Sequence, residues 1–379
     1  MLLTVSAVVC AYLEKKNYTM KISFNKITKL LLVTAIGSSS FLLMKSEDKK
    51  PIIENKPGGC YAGPTQEIFP YFDKGEEIAD EIRRIFHDSR KIFYFGTAHD
   101  GLAFYDGYSL KYLNEKNGLS GNFITQIIED SKHAIWVSTQ NGVSKIEDEK
   151  ITNFGKNEGL THTVWDIYED KKGHFWAAAE NGLFKLKGNK FQKVNLPEVD
   201  LPKRQLIVNE DAVLSITEDE KGNLYFGRDG SGVTIFDGTN FSSLTEKDGL
   251  CDNTISDIIQ DQNNRMWFAS MFNGLTVMEN GAMKMYNQDN SEIQGVEVWS
   301  IYQDSKGNIW FPTEGHGIYK YDGNQFVNYG YEEGIKSKVI QTIYEDHFHS
   351  IWVGGVNGLY RLSGDKFIEV TSEGPWFDC

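Results

Sequence analysis

The sequence predicts an all-β protein, a seven-bladed β-propeller of four-stranded antiparallel blades, and three observations carry that expectation. An acidic marker recurs at Asp88, Asp130, Asp170, Asp219, Asp261, Asp304 and Asp346. Six residues after each marker stands an aromatic: Tyr94, Trp136, Trp176, Tyr225, Trp267, Trp310 and Trp352. The markers are 40 to 43 residues apart except for one step of 49, a period at which each unit is one propeller blade. Two further offsets support the register. Isoleucine precedes every marker by three residues, from Ile85 to Ile343, and Gly followed by Leu, Val or Ile comes six or seven residues after each aromatic, as at Gly101, Gly182 and Gly358.

Each unit reads as four strands. In the second they are "FITQIIE", "AIWVST", "GVSKIE" and "KITNFG", all rich in β-branched or aromatic residues and each ended by turn chemistry. The marker aspartate accepts backbone N–H bonds in the turn between strands one and two, and the glycine of "DKKG", "DEKG" or "DSKG" supplies the positive φ that closes it. A blade cannot bury both its faces alone. Each aromatic is therefore expected to pack on the neighbouring sheet, with ring closure removing the exposed edges. The first unit begins near Ile82 and the seventh ends near Val370. No strand has to be borrowed, and the seam between blades one and seven is expected to be held by side chains alone.

The composition narrows the function. A formal charge of -14, with 39 Lys and Arg against 53 Asp and Glu, argues against nucleic acid, which is bound by neutralising phosphate with cations. From Met20 the chain places Lys21, Lys26 and Lys29 ahead of an apolar run from Leu30 to Met44, the pattern of an export signal. That run is about 15 residues, short of the roughly 20 that span a bilayer, though an uncleaved N-terminal membrane anchor stays open. The expected organisation is thus an export signal or anchor at 1–45, a linker and packing segment at 46–81, the propeller at 82–371 and a tail at 372–379, in a periplasmic or secreted protein. No cysteine pair has metal-ligand spacing. Cys60 and Cys379 are a candidate disulfide across the ends of the ring, with two unpaired thiols as the alternative.

The loops leading into strand one and the turns between strands two and three share one face of such a ring, around the central opening. Irregular residues concentrate there: His99 and Asp100 in blade one, His162 in the loop before blade three, Arg228 and Asp229 in blade four, Glu314 and His316 in blade six. Trp165 and Trp299 follow the first apolar residue of their strands, where other units carry Arg83, Thr125, Leu214, Ser256 and Gln341. Rings beside acids, amides and an arginine suit a glycan, a peptide or a protein partner, since rings stack while polar groups fix orientation. Each has a structural alternative: core packing for the tryptophans, an ion pair with Asp229 or a neighbouring acid for Arg228. The insertion "NLPEVDLPKRQLIVNED" before blade four accounts for the long step and is a further contact candidate.

The unit "GLTHTVWDIYEDKKGHFWAAAENGLFKL" resembles the two-component regulator propeller repeat, in which Gly-Leu, a short apolar strand, Asp-x-x-Gly, an apolar residue with Trp and a second Gly-Leu follow in order. The resemblance covers 82–371. It departs at Tyr94 and Tyr225, in "DSRKIF" and "DHFHSI", which lack the turn glycine, and in a degraded Gly-Leu before blades four and five. It implies the propeller fold and a periplasmic sensor domain that binds a ligand, often a glycan fragment, and signals to a kinase. No kinase or DNA-binding segment follows the propeller, so the expectation is a binding module without an effector of its own and without a cofactor. "TEGHGI" is also similar to the Glu-x-His pair of streptogramin lyases, seven-bladed propellers that use magnesium and a further histidine. That alternative makes Glu314 a metal ligand and His316 a proton carrier, with His99 or His162 as the extra histidine. Against it, His316 holds the turn position occupied by Asn141, Asn181, Asn273 and Asn357 in other units.

Overall fold

A computed structural model of the chain describes residues 78–372 apart from 108, 149, 203 and 204. The export segment, the linker as far as 77, Cys60, Cys379 and the tail from 373 lie outside the described residues. Within them the chain forms seven antiparallel sheets of four consecutive strands each, and no strand is exchanged between sheets. The blades occupy 82–113, 124–154, 164–194, 213–244, 255–286, 302–329 and 340–370. Strand two is the sheet's buried middle: Ile135–Thr139, Met266–Ser270 and Ile351–Gly355 are buried at every position, as a run covered on both faces must be. Strand four is the outer edge, and Lys150–Phe154 and Ala282–Tyr286 accordingly alternate with polar residues.

Every marker carboxylate works twice. Oδ1 of Asp130 accepts the amides of Lys132 and Ala134, closing the turn, while Oδ2 accepts Trp136 Nε1 at 2.7 Å. The same indole bond joins Asp170 to Trp176, Asp261 to Trp267, Asp304 to Trp310 and Asp346 to Trp352, at 2.7 to 2.9 Å. In blades one and four the phenols of Tyr94 and Tyr225 reach Asp88 and Asp219 at 3.2 Å. The spacing of six is therefore a hydrogen bond as well as a packing position. Where the turn glycine is missing, Lys91, His133, Asn264 and His349 take its left-handed conformation at φ 62 to 68°, a strain that the carboxylate's bonds to the turn offset.

The aromatics wedge each blade against the next. Trp136 packs with Val164, Ile167 and Ala177 of blade three, Trp310 with Ile340, Ile343 and Val353 of blade seven, and Trp352 with Ile82, Ile85 and Phe95 of blade one. Trp136 and Trp310 are 3% and 2% exposed. Burying one such ring removes roughly 150 to 250 Å² from water, about 4 to 6 kcal/mol of transfer free energy before entropy is charged against it.

The joins also use backbone, which corrects the expectation of a seam held by side chains alone. A turn amide after strand two donates to the carbonyl two residues ahead of the next blade's opening apolar residue (Ile124, Ile255, Val298 or Ile340): Gly101 to Asn122, Gly232 to Asn253, Gly274 to Val296 and Gly315 to Lys338. Asn357 of blade seven donates to Asp80 at 2.7 Å in the same way, and Glu81 bridges Val356. The seam is thus built like the other joins on this face. Residues 78 and 79 reinforce it: Ile78 and Ala79 share a core with Leu359 and Val370, and Tyr112 donates its hydroxyl to the Ile78 carbonyl.

Candidate functional site: the channel and its mouth

The first strands of successive blades lie side by side and wall the central channel. In every blade but the sixth the first strand carries a β-bulge after its opening apolar residue. In blade one Ile82 pairs with Thr97 and Arg84 with Gly96, leaving Arg83 between them. The same shift leaves Thr125, Trp165, Leu214, Ser256 and Gln341 unpaired in blades two, three, four, five and seven. A bulge turns two successive side chains toward one side, so each bulged strand offers a pair to the channel, as Arg83 with Arg84, Trp165 with Asp166 and Ser256 with Asp257. It also frees the amide of the isoleucine that follows. Asp166 Oδ2 takes the Ile216 amide across the join to blade four, and Asp257 Oδ2 takes that of Ile301 in blade six, both at 2.8 Å.

The channel concentrates charge where water is scarce. Arg83 pairs with Glu81 at 2.9 Å, and Gln341 donates to the same carboxylate across the seam. Arg84 donates Nη1 to the Arg83 carbonyl and faces Asp166 and Asp257. Burial pushes the Asp166 carboxyl up to about 6, with the Asp257 charge adding to it and the Ile216 amide, Gln126 and Arg84 opposing. Asp257 is raised for the same first reason. Burial lowers both arginines, Arg83 to about 10 against the pull of Glu81. Trp165 Nε1, Trp299 Nε1, Arg83 Nε, Ser215 Oγ and Ser300 Oγ are buried in this wall without a hydrogen-bond partner. Phe123 bridges the group, with Arg83 Cζ 4.3 Å above its ring and Trp165 edge-on at 6.5 Å.

The nine residues singled out from the sequence fall into three groups. Trp165 and Trp299 line the channel, half-buried. His99, Asp100, His162, Glu314 and His316 are exposed on the turns and lead-in loop around the mouth. Arg228 and Asp229 are 7% and 0% exposed and hold the insertion in place: Arg228 Nη1 donates to the Pro197 carbonyl at 3.0 Å, and Asp229 accepts the amides of Ile207 and Val208. Neither of the two pairs with the other in these bonds. Sequence reasoning missed Arg84, Asp166 and Asp257. Their signal was present, a charged residue two places after the opening apolar one, but only the bulge turns that position inward.

Glu314 and His316 are exposed, and among the described residues no three His, Cys, Asp or Glu side chains are arranged to hold a metal ion. On the opposite face, Ser89, His133 and Glu129 form a group, repeated by Ser305, His349 and Glu345. His133 Nδ1 lies 2.8 Å from Glu129 and 3.1 Å from Ser89 Oγ. Glu129 also accepts the Ser89 hydroxyl and amide directly, and Ser131 with Glu169 shows the same bonds without a histidine. Nucleophile activation needs the base between carboxylate and hydroxyl; here the carboxylate is a latch between blades.

Comparison with known proteins agrees with this architecture. A family model described as two component regulator propeller matches residues 118–141, 249–272 and 292–314. Over 168 residues the chain is 28% identical to Histidine kinase P4 of Formosa agariphila, a match covering 41% of this chain and 12% of the kinase. Among solved structures, the extracellular domain of a protein described as a hybrid two component system of B. thetaiotaomicron aligns at a TM-score of 0.53 and 17% identity, over 76% of this chain and 46% of that one. A catalytically inactive virginiamycin B lyase from Staphylococcus aureus aligns at 0.59 and 14% identity, over 77% of this chain and 97% of the lyase. At such identities these likenesses speak for the fold alone. No described helix is long and apolar enough to cross a membrane. Three of the seven units, those of blades two, five and six, are thus matched by the two component regulator propeller model, and all seven share the marker aspartate and an aromatic six residues on.

Proposed function

We propose that this ring is an extracytoplasmic ligand-binding module of the sensor type, taking its ligand at the channel mouth framed by the strand-two-to-three turns. A glycan fragment fits best, with a peptide or the tip of a partner protein as the other occupants of the same chemistry. The reading rests chiefly on Trp165 and Trp299. Trp165 stands at a bulge position that the fold fills elsewhere with Thr125, Leu214 or Ser256, Trp299 takes the matching place after Val298 in blade six, and both keep an indole N–H without a partner. Buried donors of that kind are rare unless something completes them, and an aromatic face with a spare donor is what a sugar ring uses. Likeness to extracellular domains of two component systems supports the setting.

The test is a glycan and peptide array probed with the purified chain, Trp165→Ala and Trp299→Ala. Loss of a stacked ring with its N–H is expected to weaken the leading signals about tenfold in each variant, with the melting temperature close to wild type. Equal binding by all three proteins would refute the site.

A further inference from the structure

Three observations in the channel point to the chemical class of the ligand, on the reading that the ligand enters by the mouth. The first is the sign of the unspent bonding capacity. Arg83 Nε, Trp165 Nε1 and Trp299 Nε1 are all buried without partners, and indole and guanidinium nitrogens only donate. The occupant that completes them must accept. The second is Arg84. Among the described residues only one of its five N–H groups, at Nη1, is engaged, on the Arg83 carbonyl; Asp166 and Asp257 face it without a hydrogen bond to it, and their oxygens hold Gln126 and the Ile216, Ile258 and Ile301 amides. The third is spatial. Arg83 sits over Phe123, which meets Trp165 edge-on, so an apolar flank adjoins the cationic pair of blade one.

We propose that the channel floor is an oxyanion site, where the carboxylate or sulfate group of an acidic ligand docks on the Arg84 fork while its ring lies against Trp165. A planar guanidinium with two free parallel N–H groups matches either oxyanion bidentately. Asp166 and Asp257 offset part of its charge, tied back by backbone amides, and Glu81 neutralises Arg83. That arrangement keeps a half-buried cation without a carboxylate hydrogen-bonded to it among the described residues. An anion arriving beside Asp166 favours the protonated form of that carboxyl. Binding therefore takes up a proton, and affinity rises as pH falls toward about 6, where Asp166 titrates.

The experiment is calorimetric titration of the purified chain with three probes that share one ring: a hexuronate, the hexose 6-sulfate and the neutral hexose. The wild type is expected to bind at least one charged probe about tenfold tighter than the neutral one, and the winner of the two identifies the oxyanion. Arg84→Gln should erase that preference. Arg84→Lys, which keeps the charge but loses the fork, should retain only part of it, and Trp165→Phe, which keeps the ring but loses the N–H, should weaken all three probes alike. Melting curves accompany each variant, so a misfolded Arg84→Gln leaves Arg84→Lys and Trp165→Phe to decide. Equal binding of charged and neutral probes by the wild type overturns the oxyanion site while leaving the mouth as a ligand site. A charge preference that survives in both Arg84 variants overturns it too. No binding of any probe up to about 10 mM overturns this proposal; a neutral or peptide hit on the array would then show that the broader reading still stands.

Discussion

At the scale of single residues, the marker aspartates do the most. Asp130 is 5% exposed and accepts three N–H groups, two from its turn and one from the indole that wedges blade two against blade three. Removing it strands three donors in a site closed to water. Asp130→Ala is expected to cost about 3 kcal/mol in urea unfolding, and Trp136→Phe, which gives up the indole bond but keeps most of the packing, about 1 kcal/mol. Equal costs would mean that packing alone sets the spacing of six. That spacing was visible in the sequence, and so was the role of the aspartate in the turn. The bond to the aromatic was not, because a fixed offset does not show whether two side chains on neighbouring strands point together; the register of Ile128 with Trp136 does.

At the scale of elements, the bulged first strand decides the site. A strand of strict alternation would hide Arg84, Asp166 and Asp257 from the channel; the extra residue turns them inward and frees the isoleucine amides that the aspartates then hold. Trp165 and Trp299 were legible because they break a seven-fold column in strand one, whereas Arg228 and Asp229 break a different column, at the end of strand two, for another reason, the anchoring of the insertion. Irregularity marks a place where something differs, and only the contacts tell a ligand site from a loop anchor. The second strands show the reverse constraint. Gly354 lies against the neighbouring blade so closely that an added Cβ would stand 2.6 Å from Ile82 Cγ2. Gly354→Ala is therefore expected to lower stability by about 1 to 3 kcal/mol through overpacking at the seam, measured as a shift in the urea midpoint; an unchanged midpoint would show that the join has slack.

At the scale of the whole molecule, the seven joins share one latch on the face opposite the mouth, with a single exception. The residue before each marker accepts the amide that follows the previous blade's marker: Glu129 from Ser89, Glu169 from Ser131, Glu218 from Lys171, Gln260 from Glu220, Gln303 from Gln262 and Glu345 from Ser305. At the closing seam His87 replaces the acid and stacks on His347, with ring centroids 4.6 Å apart and planes 9° off parallel. Asp88, Asp346 and Lys91 are the charges around the pair, Phe93 and Phe348 pack on it, and Tyr344 donates to the His87 carbonyl. Burial lowers both imidazoles below their ordinary 6.5, and the neighbouring ring lowers His87 further. The unfolded chain then binds more protons below pH 6.5, so stability is lost as the solution is acidified. Asp166, raised by burial, works in the opposite direction, so only a comparison isolates the pair. The double variant His87→Glu with His347→Ser, which rebuilds the latch of Ser89 and Glu129, is expected to flatten the fall in melting temperature between about pH 7.5 and 5.5; parallel curves would remove the seam from the acid response.

All of these scales meet in the channel, where closure of the ring brings residues from blades one, three, five and six to one place. A crystal structure of the chain soaked with its strongest array ligand tests that directly. The account predicts new density at the mouth, reaching Trp165 and the Arg84 guanidinium. Density confined to the outer edge strands or to the face of the Glu129 latch, with the channel unchanged, would contradict it.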